Sequence, residues 1–150
     1  MSYSSRFGSS RISVGRRLLL LGFGSALLGL LAVAAMLSPD PRGYGTHERM
    51  GLPPCTFQAM FQIRCPSCGM TTAWAHAVRG RLDRAVRANA GGAGLTLLAA
   101  LVGPWCLASG IRGRWWVAAP SDRVVLAVCL VVFTLTLVDW AIRFFLALWS

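Results

Sequence analysis

Cys65 and Cys68 flank a proline and a serine and lead into Gly69, and a third cysteine, Cys55, lies ten positions before the pair. Thiols so spaced support three chemistries. As thiolates they are ligands for a thiophilic metal, with zinc the candidate. As a dithiol, Cys65 and Cys68 exchange a disulfide, with Cys55 as the exchanging partner. As a purely structural element, a disulfide among the three, or a set of reduced buried thiols, pins a loop. If a helix starts at the motif with Pro66 in its first turn, where the missing N–H costs nothing, both sulfurs sit at the positive end of a helix dipole, and thiolate is favoured in either chemical reading.

A closed zinc site wants a fourth ligand. His76 lies eight positions past Cys68, about 12 Å along a continuous helix, so one ion cannot take both. His47, eight positions before Cys55, completes a better set: Cys55, Cys65, Cys68 and His47. On a continuous helix His76 shares a stripe with Thr72 and Cys68, expected to be a polar face turned to water. Near the C-terminus Asp139 and Arg143 stand at i and i+4, the spacing of a helical ion pair, with Arg143 reaching for the interface.

These residues sit in a chain whose composition sets the solvent. Of 150 residues, 55% are hydrophobic and 13% charged, too apolar for a soluble domain of this length, so the bilayer is the first expected partner. The net charge of +10 comes from 15 basic residues, all of them arginine, against five acidic ones. Because the arginines lie in tails and loops beside apolar blocks, they face lipid head groups, and nucleic acid is not expected as a partner.

Three blocks are long enough to span the roughly 30 Å hydrocarbon core: residues 18–37, 91–111 and 124–149. The first is too long for a signal-peptide core and reads as a helix that stays. In the second, Pro104 falls inside the helix, while Gly91, Gly92, Gly94 and Gly103 permit close helix contact. Ser121 and Asp122 read as the N-cap and first turn of the third. Cys106 and Cys129 fall inside these blocks as small packing residues. Trp74, Trp140 and Trp149 read as interfacial anchors.

The fold expected is an all-α integral membrane protein with three transmembrane helices and one short interfacial or re-entrant helix. A basic tail, 1–17, precedes the first span. The thiol loop covers 38–90, with the short helix at about 70–79 ended by Gly80 and followed by a basic turn. Residues 112–123 form a short basic connection. The arginine balance is close: Arg6, Arg11, Arg16, Arg17, Arg112, Arg114 and Arg123 at one end, seven more in the long loop, and Arg143. Because short connections weigh more and the first helix usually dominates, the N-terminus is expected in the cytoplasm and the thiol loop outside.

The run Cys65-Pro66-Ser67-Cys68-Gly69-Met70-Thr71, the Arg79-Gly80 break, Asn89 before a second span and Cys55 upstream resemble a family of small bacterial membrane proteins, DUF2752, over about residues 50–149. The resemblance implies a few transmembrane helices with the thiol motif beside one of them, in a bacterial inner membrane. It implies no reaction. Two positions depart from the family pattern: Thr72 stands where an arginine is usual, and Ala90 where a proline follows the asparagine. The expected function is that of an accessory or interaction protein, with another membrane protein or a second copy as partner and its Cys loop held by a disulfide or a metal. The enzyme alternative is a thiol-disulfide oxidoreductase using Cys65 and Cys68.

Overall fold

The computed structural model describes residues 11–149, which are helical apart from turns, loops and an isolated bridge between Arg11 and Arg114. In chain order the elements are α1 (Val14–Met36), a 3-10 turn (Thr46–Met50), α2 (Thr56–Phe61), α3 (Met70–Ala77), α4 (Leu82–Ala88), α5 (Ala90–Arg112) and α6 (Asp122–Leu148). Three of them, α1, α5 and α6, are long and apolar enough to cross a membrane. At 23 residues each, α1 and α5 reach about 35 Å, more than a hydrocarbon core needs. α1 begins four residues before the apolar block and takes Arg16 and Arg17 into the helix. Arg6 lies outside the described residues. α6 starts as its residues dictate: the Ser121 hydroxyl accepts from Val124 N–H at 3.4 Å, and Asp122 occupies the first turn.

The short elements depart further from the sequence pattern. The helix expected over 70–79 ends at Ala77, and a turn carries the chain to Gly80 at φ +72°. The stretch read as a basic turn forms α4, and α2 has no counterpart in the expectation. Both helices are shorter than an isolated helix can sustain in water, so their stability comes from packing. In α4, Ala85 and Ala88 bury themselves against Ala73 of α3 and Ala93 of α5.

α5 is the centre of the molecule, in contact with α1, α3, α4 and α6. Its glycines let these neighbours approach. A Cβ on Gly91 would strike Thr136 of α6, one on Gly92 would lie 3.1 Å from Met70 of α3, and one on Gly103 3.0 Å from Leu28 of α1. Gly94 differs from the expectation, having nothing within 4 Å. From the other side, a Cβ on Gly24 of α1 would sit 2.9 Å from the Gly103 carbonyl oxygen and 3.0 Å from Cys106. Small residues at one crossing are how helices associate where lipid removes the hydrophobic incentive. Cys106 packs in this crossing as expected, whereas Cys129 is exposed on α6.

Arginines close two helix ends from across the bundle. Arg17 Nε donates to the Gly110 carbonyl at 2.6 Å and its Nη2 to Ile111 O at 2.9 Å, at the end of α5. Arg79 donates to Ala34 O at 3.2 Å and Ala35 O at 2.8 Å, at the end of α1. The last carbonyls of a helix lack intrahelical partners and carry the negative end of its dipole, so a guanidinium answers both needs. Ile12 N–H donates to Gly113 O at 2.9 Å, which keeps the start of α1 beside the α5–α6 connection. The thiol loop and the last turns of α6 meet at the opposite end.

None of α6's most apolar window is buried within the molecule, and Phe133, Val131 and Leu130 point outward. Such a surface requires an apolar surround. Gly24→Ala is expected to lower the melting temperature in detergent, since overpacking a tight crossing costs about 1–3 kcal/mol. Gly29→Ala, at a position with nothing within 4 Å, should leave it unchanged or raise it. Equal losses in the two variants would count against this α1–α5 crossing.

Candidate functional site

Cys55, Cys65 and Cys68 come together, their sulfurs all within 4.8 Å of one another. Cys65 is central: its Sγ lies 3.6 Å from that of Cys55 and 3.0 Å from that of Cys68. A tetrahedral ion at about 2.3 Å from each sulfur needs separations of roughly 3.8 Å, and a disulfide needs closure to about 2.05 Å. Each is reached by side-chain movements of about 1 Å or less at the closer pair. His47 sits in the 3-10 turn and is not among the clustered ligand atoms, so the expected four-residue set comes together as three.

The local backbone differs from a helix starting at the motif. Residues 66–69 form a turn in which Cys68 N–H donates to Cys65 O at 3.0 Å and Met70 N–H to Ser67 O at 3.1 Å, and α3 begins only at Met70. Gly69 causes the delay. It adopts φ +88°, and a Cβ there would strike the Ala88 carbonyl and lie 2.8 Å from Gly43 O. Both the left-handed backbone and the tight approach require glycine after the second cysteine.

This changes the electrostatics. Burial, then the hydrogen bond to Cys65, pushes the Cys68 thiol up to about 12, the reverse of the helix-dipole expectation. The Cys55 thiol is held below its ordinary value, chiefly by the backbone N–H of Gln58 in the first turn of α2. The thiolate-favouring helix start is thus α2, under Cys55.

Polar side chains on α5 and α6 clamp the turn. Asn89 is fully buried and uses both ends of its amide: Nδ2 donates to Pro66 O at 2.9 Å and Cys68 O at 3.2 Å, while Oδ1 caps α5 by accepting from Gly92 N–H at 2.7 Å. Arg143 Nη1 donates to Cys68 O at 3.2 Å and Ala88 O at 3.4 Å, and its Nη2 pairs with Asp139 at 2.6 Å. Arg143 therefore turns inward to the thiol turn rather than snorkelling away from it. Asp139 also accepts from Ala90 N–H at 3.4 Å, a donor that a proline at this position would lack. Trp140 Nε1 donates to Arg64 O at 2.8 Å, next to Cys65, whereas Trp149 is exposed. The capping role of Asn89 has a sequence signal, an Asn directly before an apolar block. Its grip on the thiol turn has none.

The expected polar stripe of Cys68, Thr72 and His76 does not face water. Thr72 is fully buried and shares a 2.8 Å hydrogen bond with the equally buried Thr46, whose hydroxyl also accepts from Asp40 N–H at 3.0 Å. A neutral hydroxyl pair thus occupies the place where the resemblance implied an arginine. His76 is half-buried, and its Nδ1 is buried without a hydrogen-bond partner, as is Trp74 Nε1. Burial, then the charges of Arg84, Arg81 and Arg79, hold His76 below its ordinary value.

Asn89→Asp separates the two jobs of this side chain, because a carboxylate still caps α5 but cannot donate to the turn. Pro66 O then loses its donor, at a cost of about 1–3 kcal/mol, while Cys68 O keeps Arg143. The expected outcome is a lower melting temperature in detergent and faster alkylation of Cys68 than in wild type. If Asn89→Asp matches wild type in both while Asn89→Ala does not, capping alone explains the residue.

No curated protein and no solved structure matches the chain. A family match does exist, narrower than the 50–149 resemblance: it takes in the three clustered thiols, the Asn89 clamp and most of α5, and leaves Asp139 and Arg143 beyond its end. Residues 55–108, the thiol-bearing part of the chain, match the family described as a protein of unknown function (DUF2752).

Proposed function

We propose that the protein is a small multi-pass membrane protein of accessory or interaction type, whose interfacial loop is closed onto its long helices by Cys55, Cys65 and Cys68 acting together on a thiophilic metal ion such as zinc. The observation that carries this reading is the convergence of three sulfurs from two separate segments. A disulfide consumes two thiols and leaves the third without a task; a metal uses all three. The positive charge of an ion would also offset the burial that keeps Cys68 protonated.

The oxidoreductase reading has support in the 3.6 Å contact that lets Cys55 approach Cys65. In that exchange the Cys55 thiolate attacks a Cys65–Cys68 disulfide at Cys65, forms a new bond to it and expels Cys68 as thiolate. A thiol pushed up to about 12 is a poor leaving group. Structural closure is therefore favoured over turnover.

Metal analysis and thiol counting on purified, full-length protein test this. The expected result is close to one equivalent of metal, lost in Cys65→Ser, with all five cysteines reactive once the protein is denatured with chelator. A metal-free protein with a reversible Cys65–Cys68 disulfide would remove the metal reading in favour of closure or exchange through that bond.

The N-terminus is proposed to face the cytoplasm of a bacterial cell and the thiol loop the outside. Support comes from the arginines at the short connections of the other end: Arg16 and Arg17 open α1, and Arg112, Arg114 and Arg123 lie at or between the ends of α5 and α6. An outer face would also permit a disulfide among the thiols. A cysteine placed at exposed Arg49 should react with an impermeant maleimide in intact cells. Labelling only after the membrane is opened would reverse the orientation.

A further inference from the structure

Beside the thiol turn, between the segment that follows α1 and the face of α4, lies a cavity of about 520 Å³. Arg42, Arg64, Arg81, Arg84 and Arg87 line it together with His76. One acidic residue, Asp40, is also in the wall, and Arg42 already occupies both of its oxygens, at 3.0 Å each. Among the described residues Arg81, Arg84 and Arg87 pair with no carboxylate. They recur every third position, Arg81 directly before α4 and Arg84 and Arg87 on it, and like charges so close repel. Asp83, the acidic residue of α4, does not share this spacing.

The three arginines are exposed, and a set of like charges so placed gains from a bound counter-ion. The guanidinium groups present forked donors matched to phosphate oxygens, which they bind in pairs of parallel hydrogen bonds. His76 lines the same cavity with its Nδ1 buried and unpartnered among the described residues, and burial, then the charges of Arg84, Arg81 and Arg79, hold it below its ordinary value. The volume lies within the range of small-ligand sites and exceeds what a bare phosphate ion fills. The location suits a head group too, since the wall includes Pro39 and Pro41, directly after the end of an apolar helix.

We propose that this cavity binds the phosphate of a phosphate-bearing anion, either an anionic lipid head group or a small soluble phosphate. The site is distinct from the thiol centre, and although its Arg64 wall adjoins Cys65, it does not depend on whether a metal or a disulfide closes the loop.

Thermal shift of the full-length protein in detergent, at constant ionic strength, tests the proposal. The probes are dihexanoyl phosphatidic acid, dihexanoyl phosphatidylcholine, glycerol 1-phosphate and inorganic phosphate. A saturable rise with phosphatidic acid alone identifies a lipid head group; a rise that glycerol 1-phosphate or inorganic phosphate also produces identifies a soluble ligand. Arg84→Gln and Arg87→Gln should each weaken the response about tenfold, as expected for a charge-assisted hydrogen bond, while Arg49→Gln, outside the cavity, should leave it unchanged. Removing one of three repelling charges is expected to hold or raise the unliganded melting temperature, and the wild-type titrations stand whatever the variants do. No response to any phosphate probe, an equal response to the zwitterionic phosphatidylcholine, or wild-type binding by both variants would overturn the proposal.

Discussion

The buried amide of Asn89 is the interaction on which the thiol end of the molecule depends. A tight turn such as 66–69 leaves carbonyls that no helix can use, and burial without donors is expensive. Asn89 supplies two donors to that turn while its oxygen starts α5. One side chain thus sets the distance between the sulfurs and the central helix. Gly69 makes the approach feasible from below, since its missing Cβ lets the turn rest on the Ala88 carbonyl. Arg143 adds a third donor from α6 and bridges the turn to the end of α4. The short spacing between Cys68, Gly69 and Asn89 in space, against twenty-one positions between Cys68 and Asn89 in sequence, explains why a thiol motif and an asparagine belong to one unit.

What could be read from the residues alone follows from which features are local. The three long helices are legible because hydropathy is a property of consecutive residues, and Ser121 is legible as a cap because capping acts over three positions. α2 and α4 are not legible in this way. α4 looks like a basic turn because its periodicity rests on two alanines, Ala85 and Ala88, whose burial is visible only once α3 and α5 are in place. Cys55 joins the pair as its sequence position allows, whereas His47, close to Cys55 in sequence, sits in the 3-10 turn and outside the cluster. The polarity of Thr72 misled for the opposite reason: a hydroxyl can be satisfied in a dry interior by another hydroxyl, and Thr46 lies twenty-six positions away.

Arginine does two physically different jobs here, and a count of positive charges merges them. Arg17, Arg79 and Arg143 are spent on carbonyls at the ends of α5, α1 and α4, where backbone groups facing lipid or a dry interface need donors. Their planar, multiply donating head suits two carbonyls at once, as at Gly110 and Ile111. Arg81, Arg84 and Arg87 make no such commitment. Their charge is the part of the total that an external anion can answer.

Arg64 connects the two halves of the thiol end. Its carbonyl is held by Trp140 of α6, its guanidinium lies 4.3 Å from the centre of the Tyr44 ring and donates to Arg42 O at 3.2 Å, and the next residue is the central cysteine. The same residue lines the basic cavity. Fixing Cys65 between two other sulfurs therefore fixes the backbone from which one wall of the cavity projects, while α4, packed by its alanines on α3 and α5, provides the facing wall. The apolar side chains of this loop, Leu52, Met60 and Phe61 among them, are exposed and give it little core of its own. Under the closure proposed above, a metal or a disulfide at the thiols, with Asn89 and Arg143 behind it, would supply the rigidity that the loop's own packing does not. On that proposal the chemistry of the cysteines serves the shape of the charged surface beside them.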